Sequence, residues 1–165
     1  MNTTHPSGQV RSLPIETWHA LGLEGSMLPV RITLEGDSMR PLIRRGKDPV
    51  TILPLNRPLK KGDVVLFKGG PERYVVHRVQ KIKENRVRTL GDNCYFPDPW
   101  MPLENIWGLV IKAERNGKTF PLDTKTARFF GRVWMALHPV RMLYRRLRSL
   151  AYKIAKRILK RGTNE

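Results

Sequence analysis

A serine and a histidine are the residues of this sequence whose types and surroundings best suit catalysis. Ser38 lies in the turn-forming segment Gly36-Asp37-Ser38, where we expect a strand to end and the chain to turn toward Pro41. Such a turn can expose the serine hydroxyl, and the backbone amides of Asp37 and Ser38 could stabilise a developing oxyanion. The alternative interpretation of the same three residues is an ordinary turn.

A serine hydroxyl needs a general base, and His77 is the histidine placed best for that role. It lies in the β-patterned segment from Arg73 to Val79, so its side chain is expected on the same face as Val75 and Val79. A neutral imidazole is well matched to accepting a hydroxyl proton near pH 7. A histidine on an apolar strand face can also be a packed residue without a catalytic role.

Acidic partners for the histidine follow a predicted strand, in the segment from Gly91 to Asp98. Asp92 or Asp98 could accept a hydrogen bond from the imidazole and fix its tautomer, although both lie in turn-forming sequence. Cys94 is a rival nucleophile. It has no basic or histidine neighbour in sequence to lower its pKa, so the sequence favours the serine.

Composition excludes several classes of protein. The 165 residues include one cysteine and four scattered histidines, which excludes a disulfide scaffold and a zinc site with regular ligand spacing. No apolar run approaches the roughly 18 residues of a membrane span, and the polar N-terminus lacks the apolar core of a secretory signal. The net charge is +17, yet 40% of the residues are hydrophobic. We therefore expect a folded, cytoplasmic protein.

The middle of the chain has the pattern of a β protein. Short segments rich in valine, isoleucine and aromatic residues are separated by turn formers, with Asn85 and Asn116-Gly117 marking two hairpins. This spacing predicts an all-β body between residues 28 and 123, preceded by an extension over residues 1–27. The predicted strands are residues 30–35, 49–54, 63–68, 73–82, 86–90, 106–113 and 118–122.

Residues 124–165 form a predicted helical tail of strongly basic character. From residue 127 onward there are eleven basic side chains and a single acidic one, Glu165. A first helix is predicted over residues 125–137, and Pro139 fits the first turn of a second, amphipathic one over 140–161. The apolar stripe of the second helix consists of Leu143, Leu147, Leu150, Ile154 and Ile158.

A basic helix with one apolar stripe can lie on an anionic membrane surface, where each cation contributes about 1 kcal/mol. We therefore expect residues 140–161 to hold the protein peripherally at a membrane. Nucleic acid is the competing partner, but its phosphates make no use of an apolar stripe. The remaining alternative is that the stripe packs against the β body.

Several short blocks follow one another in an order that carries more information than each block alone. They are Gly36–Pro41, Arg45–Val50, Lys61–Val65, Tyr74–Val79, Thr89–Asn93 and Ile106–Val110. With these blocks the chain resembles the signal-peptidase and LexA-like serine peptidases over about residues 28–113. It looks most like the archaeal, endoplasmic-reticulum and sporulation-type signal peptidases, in which a histidine replaces the lysine base.

The resemblance implies a catalytic role for four residues of this chain. Ser38 would be the nucleophile and His77 the general base. Asp98 corresponds to the family aspartate shortly after Gly-Asp-Asn, and Asp92 would be a supporting or substitute carboxylate. The implied activity is endopeptidase cleavage of a peptide or leader, without a cofactor or metal.

The resemblance also implies the surroundings of the nucleophile and the fold. The amides of Asp37 and Ser38 would form the oxyanion hole, and Met39 and Pro41 would contact the substrate. The body would be the compact, β-barrel-like domain of that superfamily. A second Ser-Met-x-Pro segment, at Ser26, lacks the block that should follow it and is interpreted as structural.

Two other functions compete with that of a peptidase. One is a peptidase-like binding module without turnover, held at a membrane or nucleic acid by its tail. The other is a self-cleaving regulator of the LexA kind, which the sequence disfavours because 28 residues before the body are too few for a helix-turn-helix domain.

Overall fold

A computed structural model describes residues 15–25, 28–71 and 73–161, with no side-chain description for 154, 155 and 157–161. Ser26 lies outside the described residues. The helices are α1 (Ile15–Leu23), α2 (Lys125–Ala136) and α3 (His138–Arg161), with a 3₁₀ turn at Leu103–Asn105. The strands are β1 (Val30–Thr33), β2 (Pro49–Pro54), β3 (Val64–Gly70), β4 (Arg73–Lys83), β5 (Arg86–Leu90), β6 (Met101–Pro102), β7 (Ile106–Arg115) and β8 (Lys118–Pro121).

All eight described strands belong to one antiparallel sheet. Its order is β1-β2-β7-β3-β4-β5-β6, with β8 paired to β7. The mainly-β class and the C-terminal helices predicted from the sequence are confirmed. The sheet is not closed over the described residues, however, so the structure shows an open sheet and not the expected β-barrel.

Both predicted hairpins are present, and a left-handed backbone conformation occurs in each turn. Asn116 and Gly117 have φ angles of 51° and 76° and connect β7 to β8. Positive φ at two central residues is the requirement of a type I′ turn, which Asn-Gly meets. Between β4 and β5 the positive φ of 52° falls on Glu84, the neighbour of the predicted Asn85.

Two apolar clusters lie on opposite sides of the sheet, because successive strand residues point to opposite faces. On β3, Val64 and Leu66 join one cluster, whereas Val65 and Phe67 join the other. The first cluster also contains Trp18 of α1, whose indole nitrogen donates to the Leu28 carbonyl at 2.7 Å. Part of the predicted N-terminal extension therefore packs into the β body.

Two of the Gly/Asp-containing blocks have a structural role in this fold. Asp48 and Asp63 immediately precede β2 and β3 and are completely buried. Hydrogen bonds from Arg44, and further ones from Arg115, hold the pKa of Asp48 well below its usual range despite burial. Asp63 accepts two hydrogen bonds from Arg57, at 2.8 and 2.9 Å. These aspartates fix the starts of two central strands.

A third buried pair joins the sheet to the helices. Arg78 of β4 donates two hydrogen bonds to the Asp92 carboxylate, at 2.9 and 2.7 Å, and both side chains are almost fully buried. The carbonyl of Asp92 in turn accepts from Trp134 of α2 and Arg141 of α3. One loop residue is thus bound by three elements.

The helices begin and end close to the predicted positions. The Thr124 side chain caps α2 by accepting a hydrogen bond from the Ala127 amide at 3.1 Å. α3 starts at His138, which places Pro139 in its first turn. Among the residues described, none of the helices combines the length and the apolarity that crossing a membrane requires.

We predict that Arg78→Leu lowers the free energy of unfolding by about 3–5 kcal/mol, because it leaves the Asp92 carboxylate buried without a counter-charge. Urea denaturation measures the change. The matched control is Arg31→Leu, which breaks the exposed pair with Glu114 and should change stability little. The double variant Arg78→Leu with Asp92→Leu should recover part of the loss. A single variant no less stable than the control would contradict the prediction.

Candidate active site

The turn after β1 holds the predicted nucleophile. Ser38 is partly exposed in this turn, whereas its neighbour Met39 is completely buried in the first apolar cluster. The Ile43 amide donates to the Met39 carbonyl at 3.0 Å and closes the turn. Met39 therefore has no surface to offer a substrate, in contrast to its predicted contact role. It anchors the turn, while the predicted Pro41 is exposed.

The histidine and one of the two candidate aspartates form a close pair. His77 lies on β4 opposite Val65 of β3 and is 5% exposed. Its Nδ1 is 2.7 Å from Asp98 Oδ2. Thr89 donates to the same carboxylate oxygen at 2.5 Å, and the Asp98 amide donates to the Thr89 carbonyl. Two hydrogen bonds with Thr89 thus hold Asp98 beside the imidazole.

Asp92, the second candidate carboxylate, is engaged elsewhere. Both of its oxygens accept hydrogen bonds from Arg78, the residue that follows His77 on β4. Successive side chains of a strand point to opposite faces, so the two pairs lie on opposite sides of β4. The structure therefore brings Asp98, and not Asp92, to His77.

The charge state of His77 follows from its surroundings. Burial lowers the pKa of an imidazole, but hydrogen bonds and charge interactions with Asp98 and Cys94 outweigh burial and raise the pKa of His77 to about 9. Burial raises the pKa of Asp98, and the hydrogen bond and charge of His77 reverse this and leave it lowered. These surroundings favour an imidazolium paired with a carboxylate.

Gly91 lies at the point where the candidate groups meet. A Cβ atom added to it would be 2.9 Å from the Ser38 carbonyl oxygen, 2.8 Å from His77 Nε2 and 2.6 Å from Cys94 Sγ. Ser38 and His77 therefore approach each other across a glycine. No hydrogen bond joins Ser38 Oγ to His77 within the described chain, and Nε2 faces Cys94 Sγ at 3.9 Å.

Sequence reasoning underestimated Cys94 and did not identify Thr89 or Gly91. The cysteine has no basic neighbour in sequence, and only the fold of the Gly91–Asp98 loop brings it to the histidine. Thr89 lies in a predicted strand, and nothing in the sequence indicates that its hydroxyl donates to Asp98. The Gly91-Asp92 pair in a loop after that strand was the one available signal, and it also fits a simple turn.

The backbone of Asp37 and Ser38, the residues of the expected oxyanion hole, is held by Asn93. Asn93 holds the carbonyls of both residues: its amide donates to Ser38 at 2.7 Å and its side chain to Asp37 at 3.1 Å. With these carbonyls fixed, the amides of Asp37 and Ser38 donate no hydrogen bond to any described residue.

A cleft of about 490 Å³ runs past Ser38 and His77. One wall consists of Ile32 to Gly36, at the end of β1, and the other of Arg73 to His77, in the first half of β4. Over the described residues β1 pairs only with β2, and β5 pairs with β4 only from Arg78 onward, so no further strand covers either wall, although the Leu34 carbonyl already accepts a hydrogen bond from the Gly46 amide. Strand edges of this kind can each bind an extended peptide through main-chain hydrogen bonds.

Searches with the whole chain found no matching protein-family model and no matching curated protein. Among the residues that the structure describes, no group of three or more histidine, cysteine, aspartate or glutamate side chains is arranged to hold a metal ion.

We predict that the stability of the protein falls as pH rises from 6.5 to about 9. The pKa of His77 is raised from 6.5, so its stabilising charge is complete below that value and lost above about 9. The free energy of unfolding should change by at most roughly 3 kcal/mol over this range. Asp98→Asn should make this change smaller. Urea unfolding across this range, with a nuclear magnetic resonance titration of the imidazole, measures both effects. The exposed Glu24→Gln is the control, and an unchanged slope in Asp98→Asn would refute the assignment.

We predict that Gly91→Ala displaces His77 and lowers the free energy of unfolding by about 1–3 kcal/mol, because its methyl group overlaps three neighbours. The double variant Gly91→Ala with Cys94→Ala should recover part of the lost stability, because the Cys94 sulfur is the nearest of the three neighbours. Gly36→Ala is the matched control, since a methyl group there meets no atom within 4 Å. Equal stability of Gly91→Ala and Gly36→Ala, with an unshifted His77 resonance, would show that the glycine is not required.

Proposed function

We propose that this protein is a serine endopeptidase in which Ser38 is the nucleophile, His77 the general base and Asp98 the residue that orients the base. The observation that carries the proposal is the hydrogen bond of 2.7 Å between His77 Nδ1 and Asp98, with His77 Nε2 and the Ser38 carbonyl both lying against Gly91. This is the base-and-orienter arrangement that activates a serine. The proposal includes a body of the signal-peptidase and LexA-like kind, which the mainly antiparallel sheet supports.

The chemistry would proceed in two steps. Ser38 Oγ attacks the scissile carbonyl carbon, its proton passes to His77 Nε2, and His77 then protonates the leaving amine as the C–N bond breaks. Water hydrolyses the resulting ester with the same histidine as base. The amides of Asp37 and Ser38 would stabilise the oxyanion in both steps, a contribution worth several kcal/mol in other hydrolases.

The proposed substrate is a peptide in extended conformation. It would lie between β1 and the first half of β4, whose free edges can supply main-chain hydrogen bonds. Apolar side chains such as Ile32 and Leu66 and the charged groups of Glu35 and Arg73 line the same cleft. A strand bound there would pass the Ser38 turn at one end of both walls.

Cys94 supplies the strongest argument for a second interpretation. Its sulfur occupies the hydrogen-bonding direction of Nε2, which the proposed mechanism reserves for the serine hydroxyl. In other enzymes a thiol beside a histidine base is itself the nucleophile. If neither group is acylated, the cleft is that of a peptide-binding module without turnover.

We predict that a penem-type acylating probe forms an ester with Ser38, and that Ser38→Ala abolishes it. The rate should rise with pH up to about 9, since only the neutral imidazole accepts the proton. Asp98→Asn should lower it by roughly 10²- to 10⁴-fold. Intact-mass spectrometry followed by peptide mapping identifies the acylated residue.

The controls separate the alternatives. Ser149→Ala, on an exposed position of α3, should be acylated like the wild type. Cys94→Ala should still be acylated on Ser38, and faster at neutral pH because the pKa of His77 loses one of the contributions that raise it. An adduct confined to Cys94 would overturn the serine mechanism. No adduct on folded protein would overturn the enzyme and leave the binding module.

A further inference from the structure

The apolar stripe of α3 is turned away from the body of the protein. Val140, Leu143, Leu147 and Leu150 are each more than half exposed. An amphipathic helix of a globular protein normally buries that stripe against its core. The alternative that the stripe packs on the β body is thereby contradicted for Leu143, Leu147 and Leu150, the three residues of the stripe whose side chains the structure describes.

α3 is attached by the other side of the helix. Met142 is 8% exposed, the Arg141 guanidinium donates to the Asp92 carbonyl at 2.8 Å, and Arg145 donates to the carbonyl and side chain of Asn93 at 3.0 Å. At about 100° per residue, Arg141 and Arg145 lie on the side of the helix opposite Leu143. The contacts that hold α3 therefore determine that the stripe faces solvent.

α2 has the same arrangement. Gly131 and Met135 are buried against the body, whereas Phe129, Phe130, Val133 and Leu137 are exposed, Phe130 to 64%. We call the exposed apolar residues of α2 and α3 together the outer surface. Its members are Phe129, Phe130, Val133, Leu137, Val140, Leu143, Leu147 and Leu150. Exposed apolar side chains that recur along two successive helices indicate a surface that a partner covers.

The charges around the outer surface identify its partner. No aspartate or glutamate occurs between Asp123 and Glu165, while α2 and α3 carry only arginine and lysine among their charged residues. A second copy of a chain of net charge +17 would be repelled. Nucleic acid would satisfy the cations and leave the phenylalanines and leucines in water. An anionic lipid bilayer accepts both, with cations at the headgroups and apolar side chains below them.

We propose that the outer surface docks α2 and α3 onto an anionic phospholipid membrane, with both helices lying in the plane of the interface. The proposal is independent of the peptidase activity. Docking in this way would place the nucleophile turn on the side of α3 that faces away from the bilayer, because Arg141, Arg145 and Arg148 of α3 line a cleft of about 760 Å³ together with Asp37 and Arg40 of that turn.

The test is co-sedimentation of the full chain with vesicles of phosphatidylcholine alone and with vesicles that also contain phosphatidylglycerol. We expect binding to the anionic vesicles, weakened by salt, and little binding to the neutral ones. Leu143→Gln with Leu147→Gln should reduce affinity about tenfold or more, since two apolar side chains lose their burial. Arg146→Gln with Lys153→Gln should reduce it by a similar factor, at about 1 kcal/mol for each cation.

Ser149→Gln is the matched control, because it adds the same side chain to α3 away from the stripe and should bind like the wild type. Gln is a good helix former, and circular dichroism checks that each variant keeps its helices. Wild-type affinity in the leucine variant, or equal binding to neutral and anionic vesicles, would overturn the proposal. A dimer in analytical ultracentrifugation that only the leucine variant disrupts would assign the surface to a second copy. Duplex DNA binding without vesicle binding would assign it to nucleic acid.

Discussion

The buried ion pair between Arg78 and Asp92 is the interaction on which the arrangement of this protein depends most. Two almost fully desolvated charges are stable only in a fixed geometry, and here each has further partners. The Arg78 guanidinium also donates to the Gly62 carbonyl at 2.9 Å and packs on Gly131 of α2, where an added Cβ would come within 2.3 Å of it. The pair therefore fixes the positions of β4, the loop after β5 and α2 relative to one another.

The candidate site is built on the same two segments. His77 precedes Arg78 on β4, and Asn93 and Cys94 follow Asp92 in the loop, so fixing the ion pair on one side of the strand fixes the histidine on the other. A site positioned by rigid neighbours keeps its geometry better than one built on a free loop. Burying Arg78 and Asp92 costs electrostatic free energy, and the fixed geometry that this burial requires also fixes the position of His77.

Periodicity and turn residues were enough to predict the long strands, because valine-rich segments bounded by Asn-Gly or Gly-Asp are typical of β-strands and fit few other structures. They were not enough for α1, a nine-residue helix placed by a single buried tryptophan. Nor could spacing separate Asp92 from Asp98, since both follow the same strand in turn-forming sequence. The stripe of α3 was predictable, but its outward direction was not, because it follows from arginine contacts to loop carbonyls.

The raised pKa of His77 has a consequence for how such a site would work. A base that is protonated at neutral pH cannot accept the serine proton, so the free protein would be held in a resting state. Burial already opposes the imidazolium, and hydrogen bonds and charges of Asp98 and Cys94 overcome it by a finite margin. Weakening either contribution would shift the balance toward the neutral imidazole that the proposed mechanism needs.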